Sequence, residues 1–214
     1  MPVKPPALPV DLPLGVIGPA LSAAEESGEA VCDLRFESDA LENIDAGIVD
    51  FVRCRFVGIS FNAVNIDRIH LSDCAFDRCD FSGFRFREGT LRRVRFVNCR
   101  ATGTTFDHMI MKDASFDGCR MDYAALVGCR MDSIIFSDCR LARTIIQGCS
   151  QKGLALERCE LSEAEILETR LTGVDFSTCQ LDGLRSHISL WEGATIGLHQ
   201  APLLLGLCGV RMNM

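Results

Sequence analysis

Residues 74–83 read CAFDRCDFSG and contain two consecutive groups of five residues with the same pattern. Each group has a phenylalanine at its centre, Phe76 or Phe81, and a cysteine two positions earlier, Cys74 or Cys79. A helix requires apolar residues three and four apart and a strand requires them two apart, so a period of five fits neither element over any length. The pattern predicts short strand-like sides separated by corners, for which the intervening Gly, Asp and Ser residues are suited.

The same register continues from Phe36 to Leu181 without a slip. Centres twenty residues apart agree best in type, and they read Phe36, Phe56, Phe76, Phe96, Phe116, Phe136, Leu156 and Phe176. Residues that stack on their own kind in successive turns repeat once per turn, so we predict an all-β coil with four sides and about 20 residues per turn, in about seven to eight turns. Ala46, Ala101 and Gln151 are poor apolar centres, and we expect the weakest packing at 149–151.

Four segments carry a resemblance to a known family. They are CAFDR at 74–78, CDFSG at 79–83, ASFDG at 114–118 and VDFST at 174–178. Their order of small residue, polar residue, Leu or Phe, polar residue and any residue resembles the pentapeptide-repeat family, of the type without projecting loops. The resemblance implies a right-handed quadrilateral β-helix. It also implies a connection with DNA gyrase, because some members of the family bind that enzyme.

Composition limits the classes of partner. The chain has a net charge of −7, one Trp and one Tyr, which argues against binding to nucleic acid. No apolar stretch approaches the roughly 18 uncharged residues of a membrane span. An apolar run near the start resembles a signal peptide, but prolines and Asp11 interrupt it. We therefore expect a cytoplasmic protein.

The cysteines need a separate interpretation because there are twelve of them. Ten occupy the small inner position of the repeat, at 54, 74, 79, 99, 119, 129, 139, 149, 159 and 179. Thiols stacked one per turn would have their Cβ atoms about 4.8 Å apart, beyond the roughly 3.5–4.5 Å of a disulfide. A straight column also cannot surround a tetrahedral zinc ion. We predict reduced thiols that pack as small apolar side chains, with no metal and no cofactor.

The chain divides into three predicted parts: a proline-rich leader and N-terminal cap at 1–30, the repeat coil at 31–185, and a C-terminal cap at 186–214. We expect a short helix that starts near Pro19, a second helix at about 199–206 and a last strand at 207–212. The density of apolar residues in the cap predicts a homodimer with a two-fold seam. The predicted seam residues are Trp191, Leu198, Leu203, Leu204, Leu205 and Leu207. The tail is also similar to the module through which gyrase-binding members pair.

Because the interior is filled, function is expected on outward positions. One outward column reads Asp80, Arg100, Arg120, Arg140 and Glu160, and a basic belt lies at 85–100. An acidic set follows toward the C-terminal end: Glu157, Glu160, Glu163, Glu165 and Glu168. Two interpretations remain open. The bands are either a solvated surface of alternating charge or the footprint of a partner, which they would orient and attract.

We predict no enzymatic activity and no catalytic residue. The four histidines have no nucleophile partner by spacing, and the chain contains no glycine-rich phosphate loop and no histidine pair of the metal-binding type. A filled coil also offers no concave pocket.

Three functions are compatible with these observations. We favour a protein-binding scaffold or adaptor with an unknown partner, because a fold does not specify a function. The resemblance implies an alternative, a DNA mimic that binds DNA gyrase or topoisomerase IV and modulates it or protects it from quinolones or other gyrase poisons. The arginines oppose mimicry of a polyanion. A stripe that binds nucleic acid is opposed by the net charge and the scarcity of aromatic residues.

Overall fold

A computed structural model describes residues 2–37, 44–61 and 64–210 of the chain. The strands are parallel, and every pair in the register joins residues twenty positions apart, such as Phe36 with Phe56 and Phe116 with Phe136. The predicted all-β coil with four sides is therefore confirmed, with about seven turns. We name its four walls after the centres of one turn: the Phe96, Ala101, Phe106 and Met111 walls.

Two helices and sixteen strands make up the described chain. The first helix, α1, is Ile17–Ser27 and the second, α2, is Ala201–Leu207. The strands are β1 Val31–Cys32, β2 Arg35–Glu37, β3 Ile44–Val52, β4 Arg55–Val57, β5 Val64–Ser72, β6 Ala75–Asp77, β7 Arg85–Arg87, β8 Thr90–Val97, β9 Thr105–Asp107, β10 Ile110–Asp117, β11 Ala125–Val127, β12 Arg130–Ser137, β13 Ile145–Gln147, β14 Ser150–Glu157, β15 Glu165–Leu167 and β16 Arg185–Ser186. Short 3-10 helices occupy Ile188–Trp191 and Leu198–Gln200.

The strands form two sheets. The ten-stranded sheet includes β8, β10, β12 and β14, each of which runs along the Met111 wall, turns a corner and continues along the Phe96 wall. The six-stranded sheet, from β7 to β16, covers the Phe106 wall. The Ala101 wall holds turns linked by single parallel bridges, such as Arg100 with Arg120.

Stacked phenylalanines fill the core. The rings of Phe96 and Phe116 are 4.7 Å apart and almost parallel, and Phe136 continues the stack at 4.7 Å from Phe116. On the Phe106 wall, the ring centroids of Phe86 and Phe106 are 4.8 Å apart. These separations equal the strand spacing, so each ring contacts its neighbour in the next turn while its backbone pairs with the same residue.

The ten inner cysteines are buried, as predicted, and their thiols are free in this structure. They also have a role that the prediction lacked. Cys119 donates its S–H to the carbonyl of Phe96, 3.6 Å away, and Cys139 donates to Phe116 at 3.4 Å. Thr104 fills an equivalent position and donates from Oγ1 to Phe81 O at 2.7 Å. The inner column therefore supplies weak donors that satisfy corner carbonyls, in addition to small volume.

At two of the inner positions, Cys54 and Cys74, burial suppresses ionisation of the thiol. Burial raises the pKa of the Cys54 thiol to about 11, and it raises the pKa of the Cys74 thiol further. Since the thiolate is the reactive form of cysteine, these positions are chemically inert at neutral pH. The two cysteines outside the repeat positions, Cys32 and Cys208, are exposed.

Left-handed backbone occurs at almost every corner of the coil. The residue two positions after a centre has positive φ throughout the regular turns, for example Gly83 at 71° and Asp113 at 55°. Within the described ranges, sixteen of these positions carry a side chain rather than glycine. A left-handed residue with a Cβ atom costs about 1–2 kcal/mol, so the regular ladder between turns offsets a repeated local cost.

The poor centres behave differently from one another. Ala101 leaves a small void of about 10 Å³ among phenylalanines that include Phe96 and Phe106. The lining is apolar, so the void is dry. Gln151 instead uses its amide: Nε2 donates to the carbonyls of Arg170 and Thr172 at 3.2 and 3.0 Å. The ten-stranded sheet ends at β14, and this side chain satisfies carbonyls of the following turn. Ala46 packs partly buried against the core.

Both ends of the coil are covered. At the start, Ile17 and Leu21 of α1 join the core. At the other end, Gln200 is buried and donates from Nε2 to the carbonyls of Phe176 and Cys179 at 2.8 and 2.6 Å. An amide therefore caps the last turn, which the sequence analysis did not predict.

The predicted second helix corresponds to α2 with a 3-10 turn before it. The predicted strand at 207–212 is wrong for its described part, because Leu207 ends the helix and 208–209 form a turn. A left-handed Gly209 at φ 78° follows the helix and ends it. Residues 211–212 lie outside the described chain. The three-part division of the chain stays a prediction.

The corner geometry gives a direct test. We expect Gly83→Ala to destabilise the protein by about 1–2 kcal/mol, because φ is 71° there and no atom lies within 4 Å of the added Cβ. Gly47→Ala is the matched control, since its Cβ also meets no atom within 4 Å and its φ is not positive. Urea unfolding measures both, and equal midpoints would contradict the account of the corners.

Candidate partner-binding surface

The arginine column lies on the Ala101 wall. Arg100, Arg120 and Arg140 are joined by successive parallel bridges, so their backbones repeat at the spacing of the turns. In each case the N–H donates to a carbonyl of the turn below, as Arg120 N does to Cys99 O at 2.9 Å. The three side chains point outward and are exposed. The sequence prediction of stacked arginines thus corresponds to a stripe on one face.

Asp80 and Glu160 lie at the two ends of the stripe, and Asp122 lies beside it. Arg140 Nε lies 3.5 Å from Asp122 Oδ1 and 3.5 Å from Glu160 Oε2. Among the described residues, no carboxylate lies within ion-pair distance of Arg100 or Arg120. Two guanidinium groups therefore keep their donors available, while the third is shared between two carboxylates.

The five predicted glutamates do not form one patch. Glu157 lies on the Phe96 wall, Glu160 on the Ala101 wall and Glu165 on the Phe106 wall, because the chain turns a corner after every fifth residue. Glu163 and Glu168 occupy corners between walls. The set extends over three of the four walls, so a flat partner cannot contact all five together.

Arginines neutralise most of this set. Arg143 donates two hydrogen bonds to Glu163, at 2.9 and 3.1 Å, and they hold the pKa of Glu163 below its ordinary value. Glu165 pairs with Arg185, and Glu160 pairs with Arg140 at 3.5 Å. Glu157 makes the longest of these pairs, with its Oε2 atom 3.8 Å from Arg158 Nη1. Exposed pairs of this kind add little stability, but they remove free negative charge from the surface.

Most ion pairs of the described residues join side chains that are twenty positions apart, which is one turn of the coil. Arg53 binds Asp33, Arg93 binds Asp73 and Arg158 binds Asp138, always twenty residues apart. These pairs were not predicted from the sequence. Written in rows of twenty, the sequence shows them as vertical neighbours of opposite charge.

The six predicted seam residues separate into three groups. Trp191 is buried and packs against Phe176, with ring centroids 4.9 Å apart. Leu203, Leu204 and Leu207 are partly buried against the core. Leu198 and Leu205 are exposed, with 91% and 42% of their surface accessible. Only these two remain mainly free for contact with a second copy.

The described residues contain no group of three or more His, Cys, Asp or Glu side chains arranged to hold a metal ion. Neither α1 nor α2, the only α-helices of the described ranges, has the length and apolar character needed to cross a bilayer.

Several known proteins are similar to this chain. A 65-residue segment is 34% identical to the pentapeptide repeat protein MfpA of Mycobacterium tuberculosis, and it covers 30% of this chain and 36% of that protein. The chain thus spans about a third of the length of this curated relative. Among solved structures, a trypsin-treated form of QnrB1, a plasmid-mediated fluoroquinolone resistance protein, is 20% identical with a TM-score of 0.47, over 87% of this chain and 91% of that one.

A second similar structure is HetL of the cyanobacterium Nostoc, a pentapeptide repeat protein involved in heterocyst differentiation regulation. It is 14% identical with a TM-score of 0.31, over 88% of this chain and 95% of that one. A family model described as the pentapeptide repeat region matches residues 49–126 and 92–166, which together exceed half of the sequence. This chain belongs to the pentapeptide-repeat family.

Proposed function

We propose that the chain is a non-enzymatic scaffold that binds a partner protein through the arginine column. The observation that carries this proposal is the stacking of three exposed arginines on one wall, two of them without a carboxylate partner among the described residues. Arginine is enriched among the residues that dominate binding energy at protein interfaces. A partner that offers carboxylates at a comparable spacing would pair with these guanidinium groups.

The surrounding charge supports the choice of this wall. The chain carries a net charge of −7, and on the Ala101 wall it presents Arg100 and Arg120 one turn apart without a carboxylate partner among the described residues. Charge complementarity orients a partner and raises the rate of encounter. The stripe ends at Asp80 and Glu160, and these boundaries would fix the register of the partner along the coil.

Charge reversal tests this assignment. We expect Arg100→Glu with Arg120→Glu to lower the recovery of bound partner by at least about tenfold in pull-downs with the tagged protein, because two of the three contacts become repulsive. Arg170→Glu is the control, since it is also exposed but lies off the column. If the same proteins are recovered in equal amount with all three baits, the column is not the contact surface.

The second candidate is a DNA mimic that binds DNA gyrase or topoisomerase IV. The acidic turn at 157–168 and the net charge favour it, because carboxylates can replace phosphates against a basic enzyme surface. The ion pairs with arginine oppose it, and they leave Glu157 and Glu168 as the least neutralised of the set. Glu168 has no ion pair within the described ranges, and the contact of Glu157 is long, at 3.8 Å.

A supercoiling assay separates the two candidates. A DNA mimic would inhibit gyrase, or protect it from a quinolone, at micromolar concentration. Glu157→Lys with Glu168→Lys would then weaken the effect, and the Arg100→Glu, Arg120→Glu variant would strengthen it because it adds negative charge. The absence of inhibition, of protection and of a complex on gel filtration would exclude the mimic and leave the scaffold.

We also propose that the scaffold is a homodimer joined at its C-terminal caps. Leu198 and Leu205 support this, because two exposed leucines lie close together in the sequence of one small cap. A groove of about 410 Å³ lies between α2 and the last turn, and its lining includes Pro202 and Leu203 together with polar residues such as Asp182. A two-fold seam would place the same residues of both copies against each other.

The dimer is tested by the two exposed leucines. We expect Leu198→Asp with Leu205→Asp to give a monomer by light scattering after size exclusion, because buried carboxylates would face each other across the seam. Val10→Asp is a control on an exposed apolar residue outside the cap. A dimer that survives the double substitution would place the seam elsewhere.

A further inference from the structure

The proline-rich leader runs lengthwise along the outside of the coil. At the C-terminal end of the leader, Arg35 N of the first turn donates to Pro13 O at 2.9 Å, and Gly15 N donates to Arg35 O at 2.8 Å. Further toward the N-terminus, Ala7 N donates to Asp73 Oδ1 at 2.9 Å and Lys4 N donates to Asp113 Oδ1 at 3.1 Å. The leader therefore crosses successive turns at right angles to the strands.

The distance between these two contacts is nearly the same whether it is measured along the coil or along the leader. Asp73 and Asp113 are forty residues apart in the sequence, which is two turns of the coil or about 10 Å. Lys4 and Ala7 are three residues apart, and three residues of polyproline II also span about 9 Å. An extended segment of this type thus presents one N–H to every second turn. The prolines at 5 and 6 lie between the two contacts, where no N–H is required.

The two acceptors belong to a preformed feature of the coil. Asp73 and Asp113 occupy left-handed corners between the Met111 and Phe96 walls, in a column that alternates with Arg53 and Arg93. Both aspartates are buried, with 7% and 6% of the surface of the residue accessible. Arg93 Nε binds Asp73 Oδ1 at 2.6 Å and fixes the orientation of that carboxylate.

A groove lies near the start of the leader, and its lining does not include the two aspartates. It has a volume of about 460 Å³ and lies between Pro2, Val3 and Pro5 of the leader and the outward residues of the Phe96 wall, which include Ile135. The leader does not fill it. Within residues 2–12, the hydrogen bonds to described residues of the coil are those donated by Lys4 N and Ala7 N, and Val10 is fully exposed.

We propose that the path of the leader, over the corner aspartates and along one side of this groove, is a binding site for an extended, proline-rich segment of a partner protein, and that the leader occupies the site until the segment displaces it. The proposal rests on the function proposed above, since it assigns a second contact to the same scaffold. The required chemistry is a polyproline II backbone with free N–H groups three residues apart. Each N–H donates to one carboxylate of the corner column, and the intervening side chains face the groove.

Substitutions in the leader open the site without touching its acceptors. Lys4→Pro with Ala7→Pro removes the two N–H donors and favours the same extended conformation. We expect a fluorescent peptide with the sequence of residues 2–12 to bind this full-length variant at least about tenfold more tightly than the wild-type protein, where the tethered leader competes at about millimolar effective concentration. A peptide that carries proline at the same two positions should not bind.

Fluorescence anisotropy gives the results that decide the proposal. No binding of the wild-type peptide to the Lys4→Pro, Ala7→Pro variant at about 1 mM would overturn it, as would equal binding of the two peptides. A wild-type dimer that is lost in this variant would also overturn it, because a second copy would then supply the segment. Arg100→Glu with Arg120→Glu should leave peptide binding unchanged, so failure of the groove and failure of the arginine column are distinguishable.

Discussion

The hydrogen-bond ladder between turns is the constraint on which the structure depends. Each residue on a wall pairs with the residue twenty positions later, and the corners accept left-handed backbone so that this pairing continues without interruption. Asp113 and Tyr123 illustrate the cost, since both carry a Cβ atom at positive φ. Such positions persist only because the ladders on both sides determine them. The core, the ion pairs and the exposed columns all follow from the same twenty-residue repeat.

This constraint explains which predictions from sequence succeed. Phe96 and Phe116 are identical residues at the period of one turn, so their stacking follows from the pattern alone. The arginine column follows for the same reason. The strand predicted at 207–212 fails because the C-terminal cap lies beyond the repeat, where local composition replaces periodicity as the source of information. Leu207 is the last residue of α2. A short apolar run at this place did not distinguish a helix from a strand, because both elements contain such runs.

Other features depend on three-dimensional detail that the pattern does not contain. The five glutamates from Glu157 to Glu168 are close in sequence, but the corners distribute them over different walls, and arginines one turn away neutralise most of them. Gln200 caps the last turn because two carbonyls end there without a further strand. The leader shows the same limit. Its prolines indicate extended chain, whereas its path over Asp73 and Asp113 depends on tertiary contacts.

The single register also sets a rule for changes of length. Deletion of twenty residues within the coil would remove one full turn and leave every later side chain above the same kind of neighbour. Deletion of five would rotate everything downstream by a quarter of a circle, so that Arg120 and Arg140 would no longer continue the line of Arg100. Only insertions or deletions of four repeats, which are one full turn, therefore keep each outward residue on its wall. Shorter changes move the downstream outward residues to other walls, even where the apolar interior tolerates them.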